Sequence, residues 1–413
     1  MFRKQLSIVL ALSSLTSAPA AFASMAGDCR AADQPAATLL IPYFEVDLDD
    51  PTGITTVISV NNGAPRPVVA RATLWTDWGV PTLAFDIYLT GYDAQTLNVR
   101  ELLRGELPVT GADVSNNGPL SKPAEVFPGC SGAVLAQSAW ARPRSAFKAS
   151  ERNQLRAAHT GKAIPGTRPA RCAGSGQAGA SVATGYITID AVNRCTPMSI
   201  MTRVNTPAGE GYFAAGGTGI ASNSNVLFGD ALYVIPRTSS AESQSAVHVV
   251  ADADAFSAGH YTFYGRYVGF DGRDGRAPLS SLYYSRYTQG SPLIGTTEMI
   301  VWRDTREAVP EGAECGKTPR WSPMGEMQLV AFDDEENPSV VARSNAFPTA
   351  AQRVKVGSTA LPISETSGWM MVDLWHANEE HAQGWVSTVT TANGRLITGH
   401  QAVRADDLCN FGL

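Results

Sequence analysis

Gly53-Ile54-Thr55-Thr56-Val57-Ile58-Ser59-Val60-Asn61-Asn62 and, in the second half of the chain, Gly295-Thr296-Thr297-Glu298-Met299-Ile300-Val301-Trp302-Arg303-Asp304 decide how this sequence is read. Each is a run of β-branched and apolar residues that begins at Gly and ends at Asn or Asp, the signature of a strand between turns. The two runs align without a gap. Further on, Leu74-Trp75-Thr76-Asp77 aligns with Ala331-Phe332-Asp333-Asp334, and at the same offset Pro81 meets Pro338, Ala94-Gln95 meets Ala351-Gln352, and Leu97 and Val99 meet Val354 and Val356. A third block sets Gly185-Tyr186 through Asp190 on Gly368-Trp369 through Asp373. The order of blocks is the same in both halves. Leu97/Val354 and Val99/Val356 alternate with polar residues, as a half-buried strand requires.

Working outward, short β-branched or aromatic runs separated by Pro, Gly, Asn and Asp fill most of the chain. They fall at 38–47, 54–62, 68–76, 85–89, 96–99, 186–192, 226–235, 246–252, 261–268, 298–303, 327–332, 354–356, 369–375 and 385–391. Many short strands with turn residues between them predict an all-β protein of two tandem, divergent immunoglobulin-like β-sandwich modules. The first is expected over residues 36–257 and the second over 258–413. The first carries a long loop and helix insertion, about 100–184, rich in Pro, Gly, Ala and Arg; the second carries a shorter one, about 305–325. One helix is expected at 150–159, with Ser150 as its cap and Gly161 just past its end. A weaker helical pattern spans 278–287, from the spacing of Leu279, Leu282, Tyr283 and Arg286.

The N-terminus reads as a secretory signal over residues 1–23. Arg3 and Lys4 precede an apolar run from Leu6 to Leu15, and Ala21-Phe22-Ala23 supplies a small-residue cleavage site. The run is shorter than the roughly 20 apolar residues that a bilayer span needs, and no later stretch is long and apolar enough to serve as a transmembrane helix. Export to the periplasm, the cell surface or the medium is therefore expected. The net charge of −6 and the 17% charged content lack the basic footprint of a nucleic-acid binder. Six cysteines in an exported chain favour disulfides: Cys29, Cys130, Cys172, Cys195, Cys315 and Cys409. They form no C-x-x-C pair that would suggest a zinc or redox centre. Cys130–Cys172 is the first expected pairing, because both lie in an insertion with little apolar content; Cys315–Cys409 and Cys29–Cys195 follow by elimination.

Several motifs bear on chemistry. Gly174-Ser175-Gly176-Gln177-Ala178-Gly179 matches a dinucleotide fingerprint, but no strand precedes it and no helix follows, so it reads as a loop. Ser145-Ala146-Phe147-Lys148 has the S-x-x-K spacing of penicillin-recognising enzymes without the companion motifs. His376 and His381 stand five apart, a spacing that does not place both on one helix face for a metal. Asp47, Asp49 and Asp50, before Gly53, offer hard oxygen ligands for calcium, as do Asp271 and Asp274; neither set has the full calcium-loop spacing, and Asp is an ordinary turn residue. Beyond calcium no cofactor is expected. Trp75, Trp78, Trp302, Trp375 and Trp385 suit a sandwich core better than a sugar-stacking platform.

The sequence also resembles a set of exported bacterial proteins of uncharacterised function. The resemblance rests on Leu40-Ile41-Pro42-Tyr43-Phe44-Glu45-Val46-Asp47, Thr55-Thr56, Asn61-Asn62, Leu74-Trp75-Thr76-Asp77, Ala157-Ala158-His159-Thr160-Gly161, Tyr261-Thr262-Phe263-Tyr264-Gly265-Arg266-Tyr267-Val268 and Val301-Trp302-Arg303-Asp304. It covers most of the chain after the signal and implies no activity. No local catalytic pattern is present, and a triad assembled from distant residues stays open. The expected function is a non-enzymatic, secreted or surface-associated structural or interaction protein with a protein or polysaccharide partner. The alternative is a carbohydrate-active or other hydrolytic exported protein, with its site where the long insertion meets the sandwiches.

Overall fold

The computed structural model describes residues 34–108, 110, 147–201, 209, 211–290, 295–304, 312–317, 328–341, 347–374, 382–392 and 396–404. The first half contributes β1 (Thr38–Asp47), β2 (Thr55–Asn62), β3 (Val68–Thr76), β4 (Pro81–Leu89), β5 (Ala94–Asn98), α1 (Val99–Arg104), α2 (Ala149–His159), β6 (Arg171–Cys172), β7 (Val182–Val192), β8 (Ser199–Ile200), β9 (Leu227–Ile235), β10 (Ser240–Ser245) and β11 (Val247–Val249). The second contributes α3 (Gly265–Val268), β12 (Leu282–Thr288), β13 (Gly295–Arg303), β14 (Ala313–Glu314), β15 (Leu329–Asp333), β16 (Pro338–Val340), β17 (Ala351–Lys355), β18 (Ser367–Asp373), β19 (Gly384–Ala392), β20 (Leu396–Gln401) and β21 (Val403–Arg404). The chain is mostly β, with antiparallel ladders throughout.

Four sheets carry the fold. Sheet I runs β11-β1-β7-β3-β4-β8 and sheet II runs β10-β9-β2-β5. Sheet III runs β16-β15-β18-β12-β21 and sheet IV runs β17-β13-β19-β20. Reading III as β21-β12-β18-β15-β16 and IV as β20-β19-β13-β17, each strand of these two sheets occupies the place of one in sheets I and II, and among their described strands only β8 lacks a counterpart. The aromatic pairs agree. Trp75 faces Tyr186 across β3 and β7 and stacks on it at 5.7 Å; Phe332 faces Trp369 across β15 and β18 and stacks on it at 3.9 Å. Gly185 and Gly368 precede these aromatics for one physical reason: a Cβ would stand 2.0 Å from the Trp75 carbonyl oxygen in one sheet and 1.8 Å from that of Phe332 in the other.

One alignment needs correction by a single residue. Leu97 pairs with Ile58, whereas its counterpart Val354 pairs with Met299 rather than Ile300. The β2 block therefore matches β13 one position earlier than the gapless overlay placed it. Because strand side chains alternate, that slip exchanges faces: Ile58 and Met299 point into their sandwiches, and Ile300 does not.

Sheet I is buried on both sides. Leu39, Ile41, Ala70, Ala72, Leu74, Ile187 and Ile189 face sheet II in one core, while Leu40, Val69, Trp75 and Tyr186 join a second core that continues into the other sandwich. β13 and β17 lie against β1 and β7, and β20 lies against β10, so sheet IV packs on sheet I and also meets the β10 edge of sheet II. The seam is partly polar. Arg353 reaches from β17 to Glu242 on β10 at 3.2 Å, Ser387 bonds Gln244, and the Ala350 N–H donates to the Asp77 carbonyl at 2.7 Å. Desolvation lifts the Glu242 and Glu45 carboxyls above their usual range, and the Arg353 charge opposes that lift.

The segment between β11 and β12 departs from expectation. Residues 261–268, read as a strand from their aromatics, form an irregular stretch ending in α3, and residues 278–287, read as helical, contain β12. In β12 the inward side is Tyr283, Ser285 and Tyr287, a strict period of two. The aromatics of 261–268 are drawn into the seam instead: Phe263 stacks on Trp302 at 5.6 Å, and Tyr264 donates its hydroxyl to the buried Asp190 at 3.0 Å. Asp190 also accepts from Thr38 and from Tyr212, and Arg276 lies 3.7 Å away.

The expected cysteine pairing is overturned. Cys172 is bonded to Cys315, which excludes both Cys130–Cys172 and Cys315–Cys409. The reason is local: β6 and β14 form a two-stranded ladder, Cys172 opposite Ala313 and Arg171 opposite Glu314, so the two insertions meet each other. Cys195 is also in a disulfide. Cys29, Cys130 and Cys409 lie outside the described residues.

Candidate functional site

Two surfaces stand out once the layers are in place. The first is the outward face of sheet III. Tyr284, Phe332, Trp369 and Met371 are half-buried there, Pro338 is exposed, and Val340 and Val403 are 55% and 69% exposed. Tyr284 meets Trp369 edge-on at 5.5 Å, extending the Phe332–Trp369 stack. Arg286 stands exposed on the β12 side, and the turn Asp333-Asp334-Glu335-Glu336 lies at the β15–β16 end. Apolar surface gathered in this way makes the face a candidate for interaction. Phe332, which aligns with Trp75, is thus half-buried where Trp75 is buried. Trp75 is covered by Tyr267 and by Tyr186, which itself packs on Trp302; nothing comparable among the described residues covers Phe332.

The second is a cavity of about 880 Å³ where the long insertion meets sheet I. One wall is the first half of α2. That helix begins at Ala149 rather than after a Ser150 cap, and Glu151 secures it by accepting the Lys148 N–H at 2.7 Å. At the other end His159 anchors it: Nδ1 donates to the Thr184 carbonyl, and Nε2 takes the Thr82 hydroxyl at 2.7 Å. Burial pushes this imidazole down to about 4, so it is neutral at pH 7. The opposite wall is residues 196–201, fastened by the fully buried ion pair of Arg71 and Asp86 at 2.8 Å, whose members also bond Thr196. Arg168 and Arg171 close the third side, and Arg171 donates to the Gly312 carbonyl.

The sequence-derived candidates distribute as follows. Asp47 accepts the N–H groups of Asp49 and Asp50, an ordinary Asx turn. Asp49 pairs with Arg156, and Asp50 with Arg237 and Thr52. All three carboxylates are thus occupied by backbone donors or arginines. Asp271 pairs with Arg273, and Asp274 is buried against the Tyr264 N–H. Among the described residues no group of three or more His, Cys, Asp or Glu is placed to hold a metal. The glycine-rich loop is tied down, not open: Ser175 donates both its N–H and its hydroxyl to Asp77, whose carboxyl burial pushes up to about 6. Trp75, Trp78, Trp302 and Trp385 are buried. Ser145, Trp375, His376 and His381 lie outside the described residues, and Lys148 is exposed at the cavity mouth.

The open face was missed because it appears only when equivalent positions are compared for cover. The cavity was missed in its residues, though not in its place, because its lining comes from separated segments. No helix among the described residues is long and apolar enough to cross a membrane. The chain matches no protein-family model, no curated protein and no solved structure.

Proposed function

We propose that this chain is an exported, non-enzymatic structural protein built from two divergent copies of an immunoglobulin-like sandwich, which self-associates through the open face of its second copy. The strand orders support the architecture. β1-β7-β3 and β10-β9-β2 follow the B-E-D and G-F-C order of an immunoglobulin domain, as do β12-β18-β15 and β20-β19-β13. β4 and β5 widen the two sheets, and β11 takes the place of strand A. The Cys172–Cys315 bridge suits an oxidising compartment.

The observation that carries self-association is the apolar face of sheet III and its charges. A two-fold axis parallel to the strands sets β12 of one copy over β15 and β16 of the other. Arg286 then meets the acidic turn at 333–336, and the apolar rows meet each other, a closed and self-complementary contact. The seam between sheets I and IV already shows that an outward face of this module accepts a second sheet. Sedimentation velocity tests the reading. The purified, oxidised protein is expected to be a dimer, and Trp369→Glu or Met371→Glu, both at half-buried surface positions, to be a folded monomer. A wild-type monomer at high micromolar concentration sinks it. Retention of that monomer on an insoluble polysaccharide, lost in Trp369→Ala, would assign the face to carbohydrate instead.

A further inference from the structure

The cavity beside α2 has a chemical character unlike the rest of the chain. Its floor and one wall are apolar: Val80, Pro81, Ile164, Met198, Ile200 and Met201. Its charged lining is Lys148, Arg168, Arg171 and Glu151. The Glu151 carboxylate is taken by the helix N–H, and Arg171 is held by the Gly312 carbonyl. No hydrogen bond or ion pair to another described residue engages the Lys148 ammonium or the Arg168 guanidinium. In a chain of net charge −6, two cations with no carboxylate partner among the described residues, at the mouth of an apolar hollow, are a local inversion of sign. The volume lies within the roughly 300–1,000 Å³ of small-ligand sites, which are mostly apolar with a few placed polar groups. The walls are set before any ligand arrives, by the Arg71–Asp86 pair behind residues 196–201, by His159 under α2, and by the Cys172–Cys315 bridge beside Arg171.

We infer that this cavity binds an organic anion, one acidic group carried on an apolar body, with Lys148 and Arg168 receiving the charge and the Val80–Ile164–Met198–Ile200 surface receiving the body. A guanidinium and an ammonium give charge-assisted hydrogen bonds to a carboxylate, sulfate or sulfonate. The lining has no His, Asp or Cys to act on the ligand. This site is independent of self-association through sheet III.

The test uses anilinonaphthalene sulfonate and its neutral parent phenylnaphthylamine, both of which fluoresce on leaving water, with the full-length oxidised protein. The sulfonate is expected to bind at one site. The double variant Lys148→Gln/Arg168→Gln, which changes only exposed side chains, should weaken it by about tenfold or more while leaving the neutral probe unchanged. Added salt should weaken the sulfonate selectively. Met198→Trp, which fills the hollow, should remove both probes. Equal binding of the sulfonate to wild type and double variant overturns the assignment of charge. Failure of either probe to bind, or undiminished binding to a folded Met198→Trp protein, overturns the site.

Discussion

Val247 and Val403 hold the same place in two sheets of the same strand order, beside Leu40 in sheet I and Tyr284 in sheet III, yet one is fully buried and the other is 69% exposed. The surrounding residues differ in the opposite sense. The covered face of sheet I carries Thr38, Arg71, Thr73, Thr188 and Asp190, all buried. At the open face of sheet III the positions of Thr38, Thr73 and Thr188 are held by Leu282, Val330 and Met371, a more apolar set in which Leu282 and Met371 are half-buried and Val330 is buried. On the covered face Tyr264 and Arg276 bond Asp190 and Thr38, and Asp86 and Thr196 hold Arg71, whereas the Thr73 hydroxyl has no partner among the described residues; on the open face Tyr284, Trp369 and Met371 stay half-buried. Burial here is set by the next layer, not by the strand's own composition.

The largest expected effect concerns the bridge between the two halves. Cys172→Ser/Cys315→Ser opens a cross-link with a sequence separation of 143, which the chain-entropy relation values at about 5 kcal/mol as an upper figure. Denaturant unfolding of the double variant checks it. A loss below about 1 kcal/mol would mean that the seam holds the two insertions together unaided.

Next come the equivalent aromatics. Trp75→Ala should cost about 3–5 kcal/mol as a core cavity, and Phe332→Ala about 1 kcal/mol, because its ring is only half-buried to begin with. Equal losses would break the contrast between covered and open faces. The dimer proposed above sharpens it, since Phe332→Ala should then weaken association more than folding.

Acidity separates two buried groups that the first sandwich encloses. His159 is depressed to about 4 from 6.5, so the unfolded chain binds more protons between those values. Its contribution is present above pH 6.5 and is lost as pH falls to 4, a swing of about 3 kcal/mol. Asp77 is raised to about 6 from 3.8, so its contribution is present below pH 3.8 and is lost as pH rises through 6. Relative to wild type, His159→Gln should therefore gain stability on acidification from pH 7 to 4, and Asp77→Asn should lose it, by similar amounts. Parallel stability profiles for the two variants would refute both assignments. The smallest effect expected is that of calcium: with Asp49 and Asp50 paired to arginines, millimolar calcium should leave the melting temperature unchanged.

Much of the β framework was legible from the sequence. The ranges 38–47 and 68–76 coincide with β1 and β3, because turn residues bound both runs. β10, Ser-Ala-Glu-Ser-Gln-Ser, was invisible: it pairs through its backbone with β9 and carries no β-branched residue. Residues 261–268 misled because aromatics gathered into a seam resemble aromatics spaced along a strand. The cavity was legible only as the place where the insertion meets the sandwich; Lys148 and Arg168 announce nothing until Glu151 is seen to accept a backbone N–H and Arg171 to donate to Gly312.

The Cys172–Cys315 bond has a consequence for biosynthesis. A chain that emerges from its N-terminus presents the Cys172 thiol long before Cys315 exists. During that interval Cys130 and Cys195, both nearer in sequence, are the accessible wrong partners, and a bond to either must be undone by thiol–disulfide exchange. Oxidative maturation should therefore wait for the second sandwich, and a host lacking a disulfide isomerase should accumulate full-length protein with mispaired cysteines.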